Sequence, residues 1–121
     1  MLFIDLSLLP GTLRSTKKDI PKIIFQNVSI KRLVLDVLKP HMPGIVELAE
    51  ELSRLPEVSG VNVSLSEVDQ ETDTVKIVIE GTAIDFDNVR ATLSGFDAVV
   101  HSVDNVVAGQ RIVEDVETPQ D

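Results

Sequence analysis

At 121 residues the chain is long enough for one domain with a modest two-layer core, and with 43% hydrophobic but only 3% aromatic residues that core must be built from Val, Ile and Leu. No cysteine is present, which excludes disulfides, zinc–thiolate sites and a cysteine nucleophile. The net charge of −9 is unevenly spread, with seven Lys/Arg against three acids in residues 1–39 and four against seventeen in residues 40–121, so the acidic body repels nucleic-acid phosphates and attracts cations.

The opening "MLFIDLSLLPG" is apolar, but it has no positive leader, Asp5 interrupts it, and no small-x-small cleavage site follows. It is also far short of the ~20 residues a membrane span needs. A cytoplasmic protein without a membrane or nucleic-acid partner is expected. Residues 1–27 combine that run with Pro10-Gly11 and the basic "STKKDIPK", and read as a poorly ordered extension ahead of a domain at 28–116.

Strand periodicity begins after Val28. In "IKRLVLDVL", Leu33, Leu35 and Val37 alternate with Arg32, Val34 and Asp36, a half-buried strand that "KPHMPG" breaks. Ile45, Leu48, Ala49, Leu52 and Leu55 then fall at helical spacing, with Pro43 suited to the first turn and Pro56 forcing a stop at Leu55. "GVNVSLSEV" and "TVKIVIEG" alternate again, with Val61, Val63, Leu65, Val75, Ile77 and Ile79 inward, and "EVDQETDT" is the turn of their hairpin. Asp85 is a suitable N-cap for a second helix, Ile84 and Val89 stand at hydrophobic-staple spacing, and Gly95 is the expected stop. "AVVHSVDNVV" is the last strand, after which "RIVEDVETPQD" alternates briefly and frays into an acidic tail at 117–121. The order βαββαβ predicts a ferredoxin-like α+β sandwich, both helices on one face of an antiparallel sheet and the first strand central.

Three places could carry chemistry. Glu67, Asp69, Glu71 and Asp73 put acids at every second position of the hairpin. Counted from Asp69, acids also fall at 1, 3, 5 and 12, but Thr74 stands where a calcium loop of the EF-hand type needs Gly, and the flanks are strands. Glu80 would lie roughly 20 Å from Asp73 along such a strand, so that reading fails. A looser cation site at Asp69, Glu71 and Asp73 stands beside the simpler reading of a solvated turn. Second, parity puts Asp36, Asn62, Ser64, Lys76, Glu80, Ser102 and Asp104 on the open face of the sheet. Asp36 and Asp104, on neighbouring strands, could supply oxygens for Ca²⁺, or Mg²⁺ as the alternative, completed by a second subunit. Third, "KPH" at Lys39–His41 leads into a helix N-terminus and could receive an anionic small molecule, with His101 joining only if the registers allow. A Gly-rich phosphate loop, a paired-His motif and a nucleophile elbow are all absent, so an enzyme is not expected.

From Ile30 onward the strings "RLVLDVLKPH", "GVNVSLSEVDQETDTVKIVIEG", "IDFD", "VVHSVDNVVAGQRIVEDV" and "TPQD" resemble an archaeal family of small uncharacterised proteins, domain of unknown function 211. The resemblance covers about three quarters of the chain, and residues 1–29 have no counterpart in it. It implies ferredoxin-like subunits that close into cyclic homo-oligomers, some with bound divalent cations, calcium among them, and it implies no established reaction. Asp36, Lys39, Pro40, His41, His101, Ser102 and Asp104 stand at positions of the family's strings, without an assignment of which would hold metal. Independently, the last strand and "GQRIVEDV" offer an edge for another subunit to pair with. Cations would relieve repulsion between acids crowded at repeated interfaces.

Overall fold

A computed structural model of the chain describes residues 29–116. The expected N-terminal extension, the boundary at Val28 and the acidic tail at 117–121 lie outside the described residues. Within them the elements follow the predicted order: β1 Ile30–Pro40, α1 Ile45–Ser53, β2 Val58–Val68, β3 Thr72–Gly81, α2 Phe86–Ser94 and β4 Val99–Ala108. The sheet order is β2-β3-β1-β4 with every neighbouring pair antiparallel, so β1 is central and β2 and β4 are the edges. This is the ferredoxin-like α+β arrangement. Among the described residues no helix is long and apolar enough to cross a membrane.

Alternation builds the core. Leu33, Leu35 and Val37 of β1 and Val75, Ile77 and Ile79 of β3 point to the helix side and are buried. Leu48 and Leu52 of α1 and Val89 and Leu93 of α2 close over them. Because β1 and β3 are the middle strands, their inward residues are the most completely covered, as the two-layer packing requires.

The helix ends differ from expectation in instructive ways. α1 stops at Ser53, two residues before Leu55, because Arg54 N–H bonds to Glu51 O and Leu55 N–H to Leu52 O, both at 3.2 Å. These three-residue spacings tighten the last turn before Pro56. Asp85 caps α2 as its sequence predicts: its Oδ1 accepts from Asp87 N–H at 2.9 Å and Asn88 N–H at 3.4 Å, with Ile84 and Val89 both buried beside it. Asp85→Ala is therefore expected to cost about 1 kcal/mol, read as a lowered midpoint in chemical denaturation. At the other end Gly95 remains right-handed helical, and the chain reverses at Asp97 with φ 55°. A short polar side chain tolerates that conformation better than most.

β1 also outruns its predicted end. Lys39 and Pro40 continue the ladder opposite Asp73 and Thr72, and Pro40 can do so because it is the strand's last residue. Lys39 keeps the inward parity of Leu33, Leu35 and Val37, which makes it a lysine in the core at 1% exposure.

Candidate functional site

The hairpin acids and the "KPH" turn, read separately in the sequence, meet in the fold. Register places Asp73 opposite Lys39 across β3 and β1. The Lys39 ammonium donates to the carbonyls of Pro40 (2.6 Å) and His41 (3.2 Å) and lies 3.7 Å from Asp73 Oδ2. A buried charge needs this density of partners. His41 follows the strand and places Nδ1 2.8 Å from Asp73 Oδ1 and Nε2 2.9 Å from the Gln70 carbonyl at the hairpin tip. The Gln70 carbonyl first, and the Asp73 carboxylate second, hold the His41 imidazole above its ordinary value of 6.5, with the Lys39 ammonium opposing.

This arrangement divides the acidic stretch. Asp73 turns inward, 8% exposed, while Asp69 and Glu71 remain exposed on the turn. The three carboxylates do not converge as a looser cation site would need. Among the described residues no three His, Asp or Glu side chains are grouped so as to hold a metal. Lys39 and His41, expected to face an anionic ligand, have their polar atoms engaged within the protein. His101 does not join them. It is left without a partner between Ser102 and Val100 where β4 bulges against β1, on the opposite side of β1 from Asp73.

The open face carries the other pair. Asp36 stands between Lys76 of β3 and Ser102 of β4, so that Ser64, Lys76, Asp36 and Ser102 form one row across all four strands. Asp104 is the extra residue of a second β4 bulge, between Val103 and Asn105, and its Oδ1 accepts from Ser102 Oγ at 2.7 Å. The bulge preserves the expected placement: Asp104 shares the face of Ser102, the direct neighbour of Asp36.

Beside this row the chain folds back. Gly109, with φ 116°, is where it leaves β4, and residues 109–116 form no strand, so the expected longer edge through "GQRIVEDV" is replaced by β4 alone. The returning segment is pinned by Arg32, whose Nε donates to Glu80 at 2.7 Å and whose Nη1 and Nη2 donate to both oxygens of Glu114 at 2.8 and 2.9 Å. That two-pronged bond holds the Glu114 carboxyl below its usual range and the Arg32 guanidinium above. The recess beneath is lined by Arg32, Lys76, Asp104, Val107, Glu114 and Asp115, and it buries Val107 to 6% although that residue lies on the open face.

On the helix side, α2 leaves β4 partly uncovered. A groove of about 540 Å³ runs between them, with Phe86 and Leu93 on one wall and Val99, Val100, His101 and Val103 on the other. Val99, Val103 and Val106 are 65%, 42% and 51% exposed along this edge strand. An apolar strip beside unpaired backbone groups is a surface that soluble monomers generally avoid.

Two pairings escaped sequence reasoning. Lys39–Asp73 was available from parity, since Lys39 is two residues beyond Val37 and Asp73 two before Val75 on the buried faces. The Arg32–Glu114 bond had no such signal, because nothing periodic fixes where the segment after β4 returns.

The molecule so defined is a ferredoxin-like α+β protein with an apolar groove along its β4 edge and carboxylates on its open face. The family described as "Uncharacterized ArCR" (DUF211) matches residues 31–121. "Uncharacterized protein MJ0319" of Methanocaldococcus jannaschii is 47% identical over 92 residues, 76% of this chain and 95% of its own. The chain belongs to the DUF211 family.

Proposed function

We propose that the protein is a non-enzymatic subunit that assembles with its own kind into a closed ring and binds divalent cations, calcium or alternatively magnesium, through carboxylates of the open face. The observation that carries this reading is the β4 edge, where the exposed Val99 and Val103 line a groove that α2 does not fill. A neighbouring subunit covering that strip would remove apolar surface from water and pair the free backbone groups. Head-to-tail contacts of this kind close into rings when the rotation between subunits permits.

Asp36 and Asp104 are the first ligands in this account, with Glu114 and Asp115 near Asp104 on the same face. Two carboxylates from one chain are too few for calcium, which takes 6–8 oxygens, so a neighbour's oxygens and water complete the shell. Lys76 opposite Asp36 limits the affinity of an isolated subunit. Asp36→Asn is expected to weaken calcium binding about tenfold or more by titration calorimetry, while the cation-free protein keeps its melting temperature. Calcium affinity equal to the parent's would remove Asp36 from the site. A metabolite-sensing role at Lys39 and His41 would instead appear as heat stability that rises with one small molecule and not with calcium.

A further inference from the structure

We propose that His41 is a proton-operated latch, holding the tip of the β2–β3 hairpin to the turn after β1 while its ring carries two protons and releasing the tip when it carries one. The latch requires neither assembly nor cation binding. Nδ1 and Nε2 each face an acceptor, a carboxylate oxygen at 2.8 Å and a carbonyl oxygen at 2.9 Å. Neither acceptor can donate, so both bonds exist only for the imidazolium. Neutral histidine keeps one N–H and turns a lone pair toward the other oxygen, replacing attraction by repulsion at one of the two anchor points.

The two anchors belong to different parts of the hairpin. Asp73 lies within β3 and is fixed from behind by Lys39 of β1. Gln70 lies in the exposed turn, whose own closing bond runs from Asp69 N–H to Thr72 O at 2.8 Å. Losing the Nε2 contact therefore frees the turn while the strand stays paired. The charged groups around the ring are Asp73 from β3, which favours the imidazolium, and Lys39 from β1, which opposes it. Asp69 and Glu71 are exposed on the turn itself, and Glu47 is the acid in the first turn of α1.

The sign follows from the raised position of His41. The latch contributes its full stabilisation below about pH 6.5, the ordinary histidine value, and loses it as pH rises through the higher value in the folded protein. Its exposed acids make the released tip the part of the molecule whose position the proton controls.

Nitrogen-detected NMR of the ¹⁵N-labelled full chain tests this, with the two histidines told apart by a His101→Gln variant. The expected result is a His41 ring protonated on both nitrogens at pH 6.5. Protection of the Asp69 amide against hydrogen exchange, corrected for the intrinsic pH dependence of exchange, should drop about tenfold as His41 deprotonates. In His41→Ala the same amide should show the low protection at every pH. A single-proton tautomer at pH 6.5, or Asp69 protection that ignores the His41 titration in the parent protein, would overturn the proposal.

Discussion

Asp73→Ala is expected to lower stability by about 3 kcal/mol, which for a domain of this size moves the melting temperature down by roughly 15 °C. The size of the effect comes from what remains. Lys39 is buried, its side chain wholly so, and without Asp73 its charge is held by two carbonyls alone. His41 loses its Nδ1 partner in the same step. Asp69→Ala and Glu71→Ala, at exposed positions of the same stretch, should each change stability by no more than about 0.5 kcal/mol. Pairing Asp73→Ala with Lys39→Met should recover part of the loss, because an apolar side chain of similar length does not need a counter-charge. If thermal denaturation found all three acid-to-Ala changes equal, Asp73 would be one more solvated acid of the turn.

Gly81→Ala is the second large effect, of about 3 kcal/mol, for a different reason. A Cβ at Gly81 would stand 2.0 Å from the Glu57 carbonyl oxygen and 3.1 Å from Ile84 Cγ1. The first neighbour is backbone and cannot swing away. That same carbonyl accepts from Thr82 N–H at 3.1 Å, the bond by which the segment between α1 and β2 is fastened to the end of β3. Displacing it breaks the fastening and disturbs the buried Ile84 beside it. Gly60→Ala is the matched control: no atom lies within 4 Å of its Cβ position, so the change should be neutral or slightly stabilising through the loss of glycine's freedom in the unfolded chain. Equal midpoints in urea for the two variants would contradict the close approach at Gly81.

The contrast between these sites shows which parts of the fold were legible. Wherever one side of a strand is buried, period-2 alternation specifies it, and Leu33, Leu35, Val37, Val75, Ile77 and Ile79 appear where the alternation puts them. The Asp85 cap and the Ile84–Val89 pair were equally readable, because capping is local chemistry. Lys39 was hidden by the habit of ending a strand at Lys-Pro, although its parity continued the buried row. The division of the acidic stretch depended on that same row: Asp73 belongs to the inward set of β3, and Asp69 and Glu71 do not. The bulges at His101 and Asp104 were not legible, since they arise from how β4 fits the twist of β1 rather than from any turn residue. Nor was the return of residues 109–116 onto Arg32, a contact between positions 82 residues apart.

These positions also shape the functional account. The Lys39–Asp73–His41 cluster is occupied with holding two turns together, whereas the open face and the β4 edge are open to meet something else. Asp36 and Asp104 reach that face through strands of opposite direction, and the groove beside α2 lies on the other face of the same edge strand. A subunit docking along β4 would therefore approach both.

Native mass spectrometry of the purified protein, with calcium present and after exhaustive chelation, tests this central claim most directly. The account predicts one closed oligomer carrying a whole number of calcium ions per subunit, which falls apart when calcium is withdrawn. A metal-free monomer of unchanged mass under both conditions would contradict it.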